Sequence, residues 1–186
     1  MALILASKSP RRRDILTDLG YTFAVRTAPT DETLPDGVHP REGVRLLAVR
    51  KGEAVAPLCG EDDVILSSDT LVELDGVALG KPIDAEDARR MLRALSGRAH
   101  NVHTGVAVRR GACVYADTAS TRVVFRALCE DEIEAYVSSG EPMDKAGAYG
   151  IQGAAGAFVS HVEGDMDTVV GLSSRLTKEL LGRVGL

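Results

Sequence analysis

The chain has 186 residues, of which 45% are hydrophobic and 26% are charged, close to the averages of globular domains. This length predicts a single domain over residues 1–186, because two large domains would not fit. The formal net charge is −5, from 22 Lys and Arg against 27 Asp and Glu. This balance argues against nucleic acid as a partner, since duplex binding needs a wide basic surface.

The cysteines and apolar stretches predict a cytoplasmic protein. Cys59, Cys113 and Cys129 are scattered and odd in number, which argues against a disulfide framework and a zinc site. The N-terminal apolar run is too short for a signal peptide. The longest uncharged stretch, residues 146–162, is interrupted by four glycines. We therefore expect no membrane segment and no membrane partner.

Apolar periodicity and turn residues predict an α/β chain without an internal repeat. Ser9-Pro10 predicts a helix start, with serine as the N-cap, and Gly20 predicts its end. Asp75-Gly76 predicts a tight hairpin. In chain order the predicted elements are strand 3–5, helix 9–19, strand 22–27, loop 28–40, helix 41–57, strands 64–74 and 77–79, helix 84–95, strands 102–108 and 113–125, helix 130–138, loop 140–156, strand 158–162 and helix 168–181.

Three consecutive arginines, residues 11–13, follow the first helix start, where acidic residues are usual. A helix N-terminus carries partial positive charge, so cations there are unfavourable unless an anion binds. Free backbone N–H groups, serine hydroxyls and guanidinium groups together make a phosphate site. The alternative is a solvated basic helix start. No Walker A pattern is present, so a P-loop ATPase is not supported.

An aspartate, Asp69, lies inside an otherwise apolar strand. A buried carboxylate is unfavourable unless it is paired or faces a wet cleft. In a cleft it can bind a divalent cation or act as a general base on water. The alternative is a structural, hydrogen-bonded aspartate. Asp31-Glu32, in the predicted loop, can help to hold a metal or can simply be solvated.

Lysine is rare among the basic residues, which include only Lys8, Lys51, Lys81, Lys145 and Lys178. The bias can reflect genome composition alone, but a retained lysine can also indicate that a compact ammonium group is needed. Lys81 lies between a glycine and a proline after a short strand, where it can reach a phosphate. Lys51 lies on a helix, where a lysine is usually exposed to solvent.

Histidine chemistry is not predicted. His100 and His103 are three apart in a strand, so their side chains point to opposite faces and do not easily bind one metal. No serine and histidine share a recognisable local frame, so no Ser/His/Asp triad is predicted.

Taken in order, the unusual segments resemble the Maf family of nucleotide pyrophosphatases. The resemblance covers nearly the whole chain, and the block from Lys145 to Gly153 is highly specific. The matching segments are LILASKSPRR at 3–12, Ser68-Asp69-Thr70, Gly80-Lys81-Pro82, Leu95-Ser96-Gly97, YVSSGEP at 136–142, DKAGAYGIQG at 144–153 and VVGL at 169–172.

The resemblance implies an inosine-triphosphatase-like α/β fold, with an elongated mixed β-sheet flanked by helices and a cleft between two lobes. It implies hydrolysis of a nucleoside triphosphate between the α and β phosphates, giving the monophosphate and pyrophosphate. It also implies a required divalent cation, Mg or Mn, and a homodimer.

The resemblance assigns roles to individual residues. The proton acceptor falls on Asp69, and Glu32 with Asp69 would hold the metal. The phosphate-binding positions fall on Ser7, Arg12, Lys51 and Lys81. The specificity positions fall on Arg11, Thr70 and Gln152, and these predict a preference for dTTP and UTP.

The chain departs from the family pattern in two places. Ser173-Ser174 stands where the family usually has Pro-Leu, and Asp165-Met166-Asp167 replaces a more aromatic stretch. Both departures fall near the start of the last helix, so the local geometry there is expected to differ.

The resemblance implies nucleotide-pool house-cleaning, the removal of surplus or non-standard nucleotides, and two alternative functions remain open beside it. One is the branch that prefers 7-methylguanosine triphosphate, which has tryptophan, glutamine and glutamate at the three specificity positions. The other is a regulator of cell division and septum formation that acts by binding partners. The intact Asp69, Lys51 and Lys81 favour an enzyme, because a binding module needs no strand carboxylate beside a phosphate site.

Overall fold

The computed structural model describes residues 1–186 and contains one seven-stranded mixed sheet. The strands lie in the order β2-β1-β3-β5-β6-β7, and β4 pairs with β3. β1 is parallel to both of its neighbours, and the other pairs are antiparallel. The strands are β1 (Leu3–Leu5), β2 (Ala24–Val25), β3 (Val64–Leu74), β4 (Val77–Leu79), β5 (Ala99–Arg110), β6 (Cys113–Phe125) and β7 (Val159–Glu163).

Side-chain caps define where several helices begin. Ser9 Oγ accepts a hydrogen bond from the N–H of Arg12, and Asp84 accepts one from the N–H of Asp87. None of the helices combines the length and apolar character that a membrane span requires. The helices are α1 (Pro10–Asp18), α2 (Pro40–Val55), α3 (Ala85–Leu95), α4 (Glu130–Ser138), α5 (Met166–Val170) and α6 (Ser174–Gly182).

Two hydrophobic cores divide the sheet into two lobes. In the first lobe, α1 and α6 pack on β1 and the first half of β3, with Leu66 and Leu180 fully buried. In the second lobe, α3 and α4 pack around Leu92 and Phe125 and the far end of β3. Since neighbouring side chains on a strand alternate in direction, Ile65 packs instead with Val55 of α2 on the opposite face.

β3 lacks a neighbour along part of one edge. Residues 64–66 pair with β1 and residues 72–74 pair with β4, so residues 67–71 have no partner strand on that side. The other edge of β3 is paired with β5 from residue 64 to residue 73. The opening therefore lies between the two lobes and gives access to side chains from both faces of β3.

The mixed α/β fold, with an elongated sheet flanked by helices and a cleft between two lobes, is confirmed, but several predicted bounds differ. The strand predicted at 22–27 is limited to Ala24–Val25, and the strand predicted at 102–108 extends over Ala99–Arg110. The loop predicted at 140–156 contains short 3-10 turns.

The prediction of one helix over 168–181 is wrong, because the helix is interrupted at Gly171. Gly171 has a φ of 128°, a backbone conformation that residues with a side chain rarely adopt. Its N–H donates to the carbonyl of Asp167, 2.9 Å away, and ends α5. Its own carbonyl points away from the helix and accepts hydrogen bonds from Arg12 and Ser68. Apolar residues continue across this break, so periodicity alone did not reveal it.

The two departures from the family pattern contact each other. Ser173 caps α6 by accepting a hydrogen bond from the N–H of Leu176, 3.3 Å away. The Ser174 hydroxyl donates to the carboxylate of Asp167. The serine pair thus starts α6 and ties it to α5 across the break at Gly171.

Candidate active site

A cavity of about 610 Å³ lies between the lobes, at the edge where β3 has no neighbour. Small-molecule sites commonly have volumes of roughly 300–1,000 Å³. Ser7 is not part of the lining and lies buried behind Arg12. All the other predicted site residues line the cavity: Arg11, Arg12, Glu32, Lys51, Asp69, Thr70, Lys81 and Gln152.

Lys51 and Asp69 form an ion pair in this cavity. Lys51 follows Leu47 and precedes Val55 by one helical turn each, and both of these residues are buried. This spacing turns Lys51 toward β3, whereas a lysine on a helix is ordinarily exposed. Its ammonium group contacts Asp69 Oδ1, and Asp69 Oδ2 has no hydrogen-bond partner in the protein.

Glu32 is the second carboxylate at the Lys51 ammonium group. Its Oε1 lies 2.8 Å from Lys51 Nζ. The hydrogen bond from Lys51 holds the pKa of Glu32 below its usual value, although partial burial opposes the effect. The loop of residues 28–39 thus places the Glu32 carboxylate beside Lys51 of α2, which also contacts Asp69 of β3.

Arg12 is held by three hydrogen bonds, one from each guanidinium nitrogen. Nε donates to the Gly171 carbonyl at 2.8 Å, Nη1 to Ser7 Oγ at 3.2 Å and Nη2 to Thr70 Oγ1 at 3.3 Å. Burial lowers the pKa of Arg12, and the nearby Asp69 carboxylate opposes that shift. Since a guanidinium group has five N–H donors, one remains on each terminal nitrogen for an anion in the cavity.

Thr70 is part of a hydrogen-bonded chain whose direction is fixed. Thr104 Oγ1 donates to the Thr168 carbonyl at 2.7 Å, so its single proton is used there. Thr70 Oγ1, 2.9 Å from Thr104 Oγ1, must therefore donate to it. Thr70 also accepts from Arg12, which leaves one lone pair. Toward a ligand, the Thr70 hydroxyl can therefore only accept a hydrogen bond.

The other predicted residues have free side chains. Lys81 is exposed, immediately follows Gly80 after β4, and has no ion-pair or hydrogen-bond partner. Arg11 is half-buried and Gln152 is exposed, and neither side chain is hydrogen-bonded within the protein. These three groups come from α1 and the second lobe, and they are available to a ligand.

The sequence reasoning gave no role to three charged residues of the second lobe that line the cavity, Glu141, Asp144 and Lys145. Lys145 Nζ donates to the Glu141 carbonyl at 2.6 Å and to Asp144 Oδ1 at 2.8 Å. This contact lowers the pKa of Asp144. The scarcity of lysine was a signal that could have selected Lys145 along with Lys51 and Lys81.

The residues present are compatible with a divalent cation. No group of three or more His, Cys, Asp or Glu side chains converges in the chain. Glu32 and Asp69 nevertheless share one cationic partner, Lys51, and so approach the same point. Two carboxylates suffice for Mg²⁺ where waters and substrate phosphates complete its oxygen ligands.

This α/β fold, with arginine, lysine and carboxylate groups from two lobes around one cleft, defines a protein suited to polyphosphate ligands. Its sequence matches the family described as Maf-like protein over residues 2–184. The chain belongs to the Maf family.

Several relatives are similar over most or all of their length. The "dTTP/UTP pyrophosphatase" of Pelotomaculum thermopropionicum is 49% identical over 98% of this chain and 96% of that protein. The protein of the same name from Anaeromyxobacter sp. (strain Fw109-5) is 53% identical, with 98% and 89% covered. The one from Shewanella oneidensis is 45% identical, with both chains fully covered.

Two solved structures show a distant likeness to this chain. The Ham1 protein of Staphylococcus aureus has a TM-score of 0.49 and 14% identity, covering 66% of this chain and 71% of that one. A HAM1 protein from Coxiella burnetii has a TM-score of 0.46 and 14% identity, with 95% and 98% covered. Likeness at this level supports no conclusion about the site.

Proposed function

We propose that this protein hydrolyses dTTP and UTP between the α and β phosphates, releasing the nucleoside monophosphate and pyrophosphate. Its membership of the Maf family and its relatives named dTTP/UTP pyrophosphatase support this activity. The proposed role is to remove surplus or non-standard nucleotides from the nucleotide pool.

The observation that carries the proposal is the arrangement around the unpaired edge of β3. Asp69 and Thr70 are adjacent in sequence and their side chains project from opposite faces of β3, yet both line one cavity. Asp69 meets Lys51 on the α2 side, and Thr70 meets Arg12 on the α1 side. A carboxylate for water and a guanidinium for phosphate are thus adjacent in a single cleft.

The side chains divide the reaction between them. The free N–H groups of Arg12 and the ammonium group of Lys81 bind phosphate oxygens. Asp69 Oδ2, which has no partner in the protein, orients a water molecule and accepts its proton as the water oxygen attacks the α phosphorus. The bridging P–O bond breaks, and its electron pair leaves with the pyrophosphate.

Glu32 and Asp69 would hold a divalent cation, Mg or Mn. When bound, this ion supplies positive charge that offsets the charge of the triphosphate. Lys51 now contacts both carboxylates and would have to leave them, and its ammonium group would then be free to bind a phosphate.

Base preference is proposed to depend on Arg11, Thr70 and Gln152. The edge of uracil or thymine has one N–H donor between two carbonyl acceptors. The remaining lone pair of Thr70 can accept from that N–H, and the Gln152 amide can donate to a carbonyl. The chain contains no tryptophan to stack on a cationic 7-methylguanine, and Arg11 would repel such a base.

The proposal is tested by measuring pyrophosphate release from a panel of dTTP, UTP, CTP, GTP and 7-methyl-GTP, with Mg²⁺, with Mn²⁺ and with excess chelator. We expect the highest kcat/KM for dTTP and UTP, and loss of activity in chelator. Release of orthophosphate in place of pyrophosphate would contradict the assigned bond. Full activity in chelator would contradict the requirement for a metal.

We also propose a homodimer, on the family resemblance alone, and a cytoplasmic location, on the scattered cysteines and the short apolar stretches. Light scattering on the purified protein tests the first, and a mass equal to one chain of 19.7 kDa would contradict it. Cell fractionation tests the second.

A further inference from the structure

We propose that Tyr136 and Glu141 position Gln152, and thereby control which base the site accepts. The hydroxyl of Tyr136 and the carboxylate of Glu141 form a hydrogen-bonded pair, called here the Tyr136–Glu141 clamp. The inference rests on the proposed function, because it concerns the same cavity.

The clamp holds the chain on both sides of Gln152. Tyr136 OH donates to Glu141 Oε1 at 3.1 Å and accepts from the N–H of Gly150 at 3.2 Å. Glu141 Oε2 accepts from the N–H of Ala154 at 3.4 Å. Gly150 lies two residues before Gln152, and Ala154 lies two residues after it. Gln152 therefore lies at the tip of a loop whose two ends are bound to one pair of side chains.

The glycines of this loop fit closely around the clamp. A β-carbon at Gly153 would overlap the Glu141 carboxylate, and one at Gly150 would lie 2.6 Å from Lys145 Cε. The N–H of Gly153 donates to the Gly150 carbonyl at 3.0 Å and closes the turn around Gln152. A larger residue at either glycine would therefore displace the side chain of Glu141 or Lys145 from the position that it holds here.

The clamp is anchored in the second lobe. Tyr136 lies on α4 and is only 4% exposed, and its ring packs edge-to-face on Phe158 with centroids 5.3 Å apart. Glu141 is also held through its carbonyl, which accepts from Lys145 Nζ at 2.6 Å. The clamp therefore fixes the backbone around Gln152 relative to the core of the second lobe. The Gln152 side chain has no hydrogen bond of its own.

An exposed amide side chain distinguishes bases only if its backbone is held in place. Without the clamp, Gln152 would sample many positions, and the uracil edge would lose its fixed partner. Binding of the phosphates by Arg12 and Lys81 does not depend on this loop. Tyr136 and Glu141 are thus positioning residues, and their loss should reduce discrimination between bases more than turnover itself.

The test compares kcat/KM for UTP and CTP in the wild type, Tyr136→Phe and Glu141→Gln. Tyr136→Phe removes only the hydroxyl, and Glu141→Gln keeps the side-chain shape but replaces one acceptor by a donor. We expect the UTP-to-CTP ratio to fall about tenfold in each variant, as the loss of one buried hydrogen bond predicts. Tyr115→Phe is the matched control, because Tyr115 is half-buried in the first lobe and its hydroxyl has no hydrogen bond.

Hydrogen exchange at the amides of Gly150 and Ala154 gives a second measurement that does not depend on activity. We expect both amides to exchange faster in Tyr136→Phe than in Tyr115→Phe. An unchanged UTP-to-CTP ratio in both clamp variants would overturn the inference, even with the proposed function intact. A wild type that releases no pyrophosphate would overturn the proposed function instead, and unchanged amide exchange would then overturn the clamp itself.

Discussion

The ammonium group of Lys51 contacts the carboxylate of Asp69 at the edge of β3 that has no partner strand. The two side chains are only 16% and 11% exposed, so solvent screens their attraction weakly. Asp69 uses one carboxylate oxygen for this contact and keeps the other free. In the absence of a metal, the residue proposed to act on water is thus held by a group that can also bind the phosphates.

The first prediction concerns the free oxygen of Asp69. Asp69→Asn keeps the shape of the side chain but removes its basicity, so kcat for dTTP should fall by roughly 100-fold or more. Asp62→Asn is the control, because Asp62 is exposed and has no hydrogen-bond partner. Circular dichroism establishes whether each variant is folded. Turnover near that of the wild type in a folded Asp69→Asn would show that another group accepts the proton.

The second prediction concerns competition between Lys51 and a metal. The ammonium group occupies the point where the carboxylates of Glu32 and Asp69 converge, so a divalent cation must displace it. Lys51→Met should therefore bind Mn²⁺ about tenfold more tightly than the wild type in the absence of nucleotide. This factor corresponds to a gain of about 1.4 kcal/mol in binding free energy when the ammonium group no longer has to be displaced.

Calorimetric titration with Mn²⁺ measures this affinity without any substrate. Lys178→Met is the matched control, because Lys178 is exposed and has no ion-pair partner. The same Lys51→Met variant should lose turnover. Equal or weaker Mn²⁺ binding by Lys51→Met would mean that the cation binds elsewhere.

Local rules predicted much of this molecule, because the signals involved lie close together in the sequence. Ser9 caps α1 as expected, and Asp75-Gly76 forms the hairpin between β3 and β4. Asp69 was selected as a charged residue in an apolar strand, and it does line the cavity. Each of these inferences needed only a few neighbouring residues.

The contacts that the sequence did not predict join distant parts of the chain. Lys51 and Asp69 were both selected, but their contact depends on how α2 packs across β3. The break at Gly171 is supported by a hydrogen bond from Arg12, 159 positions earlier. Periodicity describes one element at a time, and such tertiary contacts override it.

A polar chain across three strands, in which His103 and Glu73 are buried, is another such contact. His103 Nδ1 lies 2.7 Å from Ser120 Oγ, and His103 Nε2 lies 2.9 Å from Glu73 Oε2. The residues belong to β6, β5 and β3, and strand register alone brings them together. No local frame in the sequence links them, which is why no such group was predicted.

The third prediction follows from Glu73. Burial alone would raise its pKa, but hydrogen bonds from His103, Gly76 and Asn101 outweigh this, so its pKa in the folded protein lies below the usual 4.5. A group whose pKa is lowered by folding stabilises the fold above its unfolded pKa. That stabilisation is lost as the pH falls below 4.5 and through the folded pKa.

Urea unfolding at neutral pH and at acid pH checks this prediction. Glu73→Gln should be less stable than the wild type at neutral pH, and the difference should shrink in acid, because the carboxylate of the wild type then also becomes neutral. Glu61→Gln, at an exposed position, is the control. A difference between wild type and Glu73→Gln that is the same at both pH values would contradict the prediction.

The last prediction concerns Arg11 and a cationic base. Arg11 is half-buried, lines the cavity and makes no hydrogen bond within the protein, so its charge is available to a ligand. A 7-methylguanine ring carries positive charge, and two like charges about 4 Å apart at a protein surface repel by about 4 kcal/mol. Arg11→Gln should therefore raise kcat/KM for 7-methyl-GTP by at least about tenfold, since part of that repulsion is screened. Hydrolysis of UTP should change less, because uracil is neutral. Arg13→Gln, an exposed change on the same helix outside the cavity lining, is the control for general charge effects. If Arg11→Gln and Arg13→Gln change the 7-methyl-GTP to UTP ratio equally, Arg11 does not contact the base, and specificity must depend on Thr70 and Gln152.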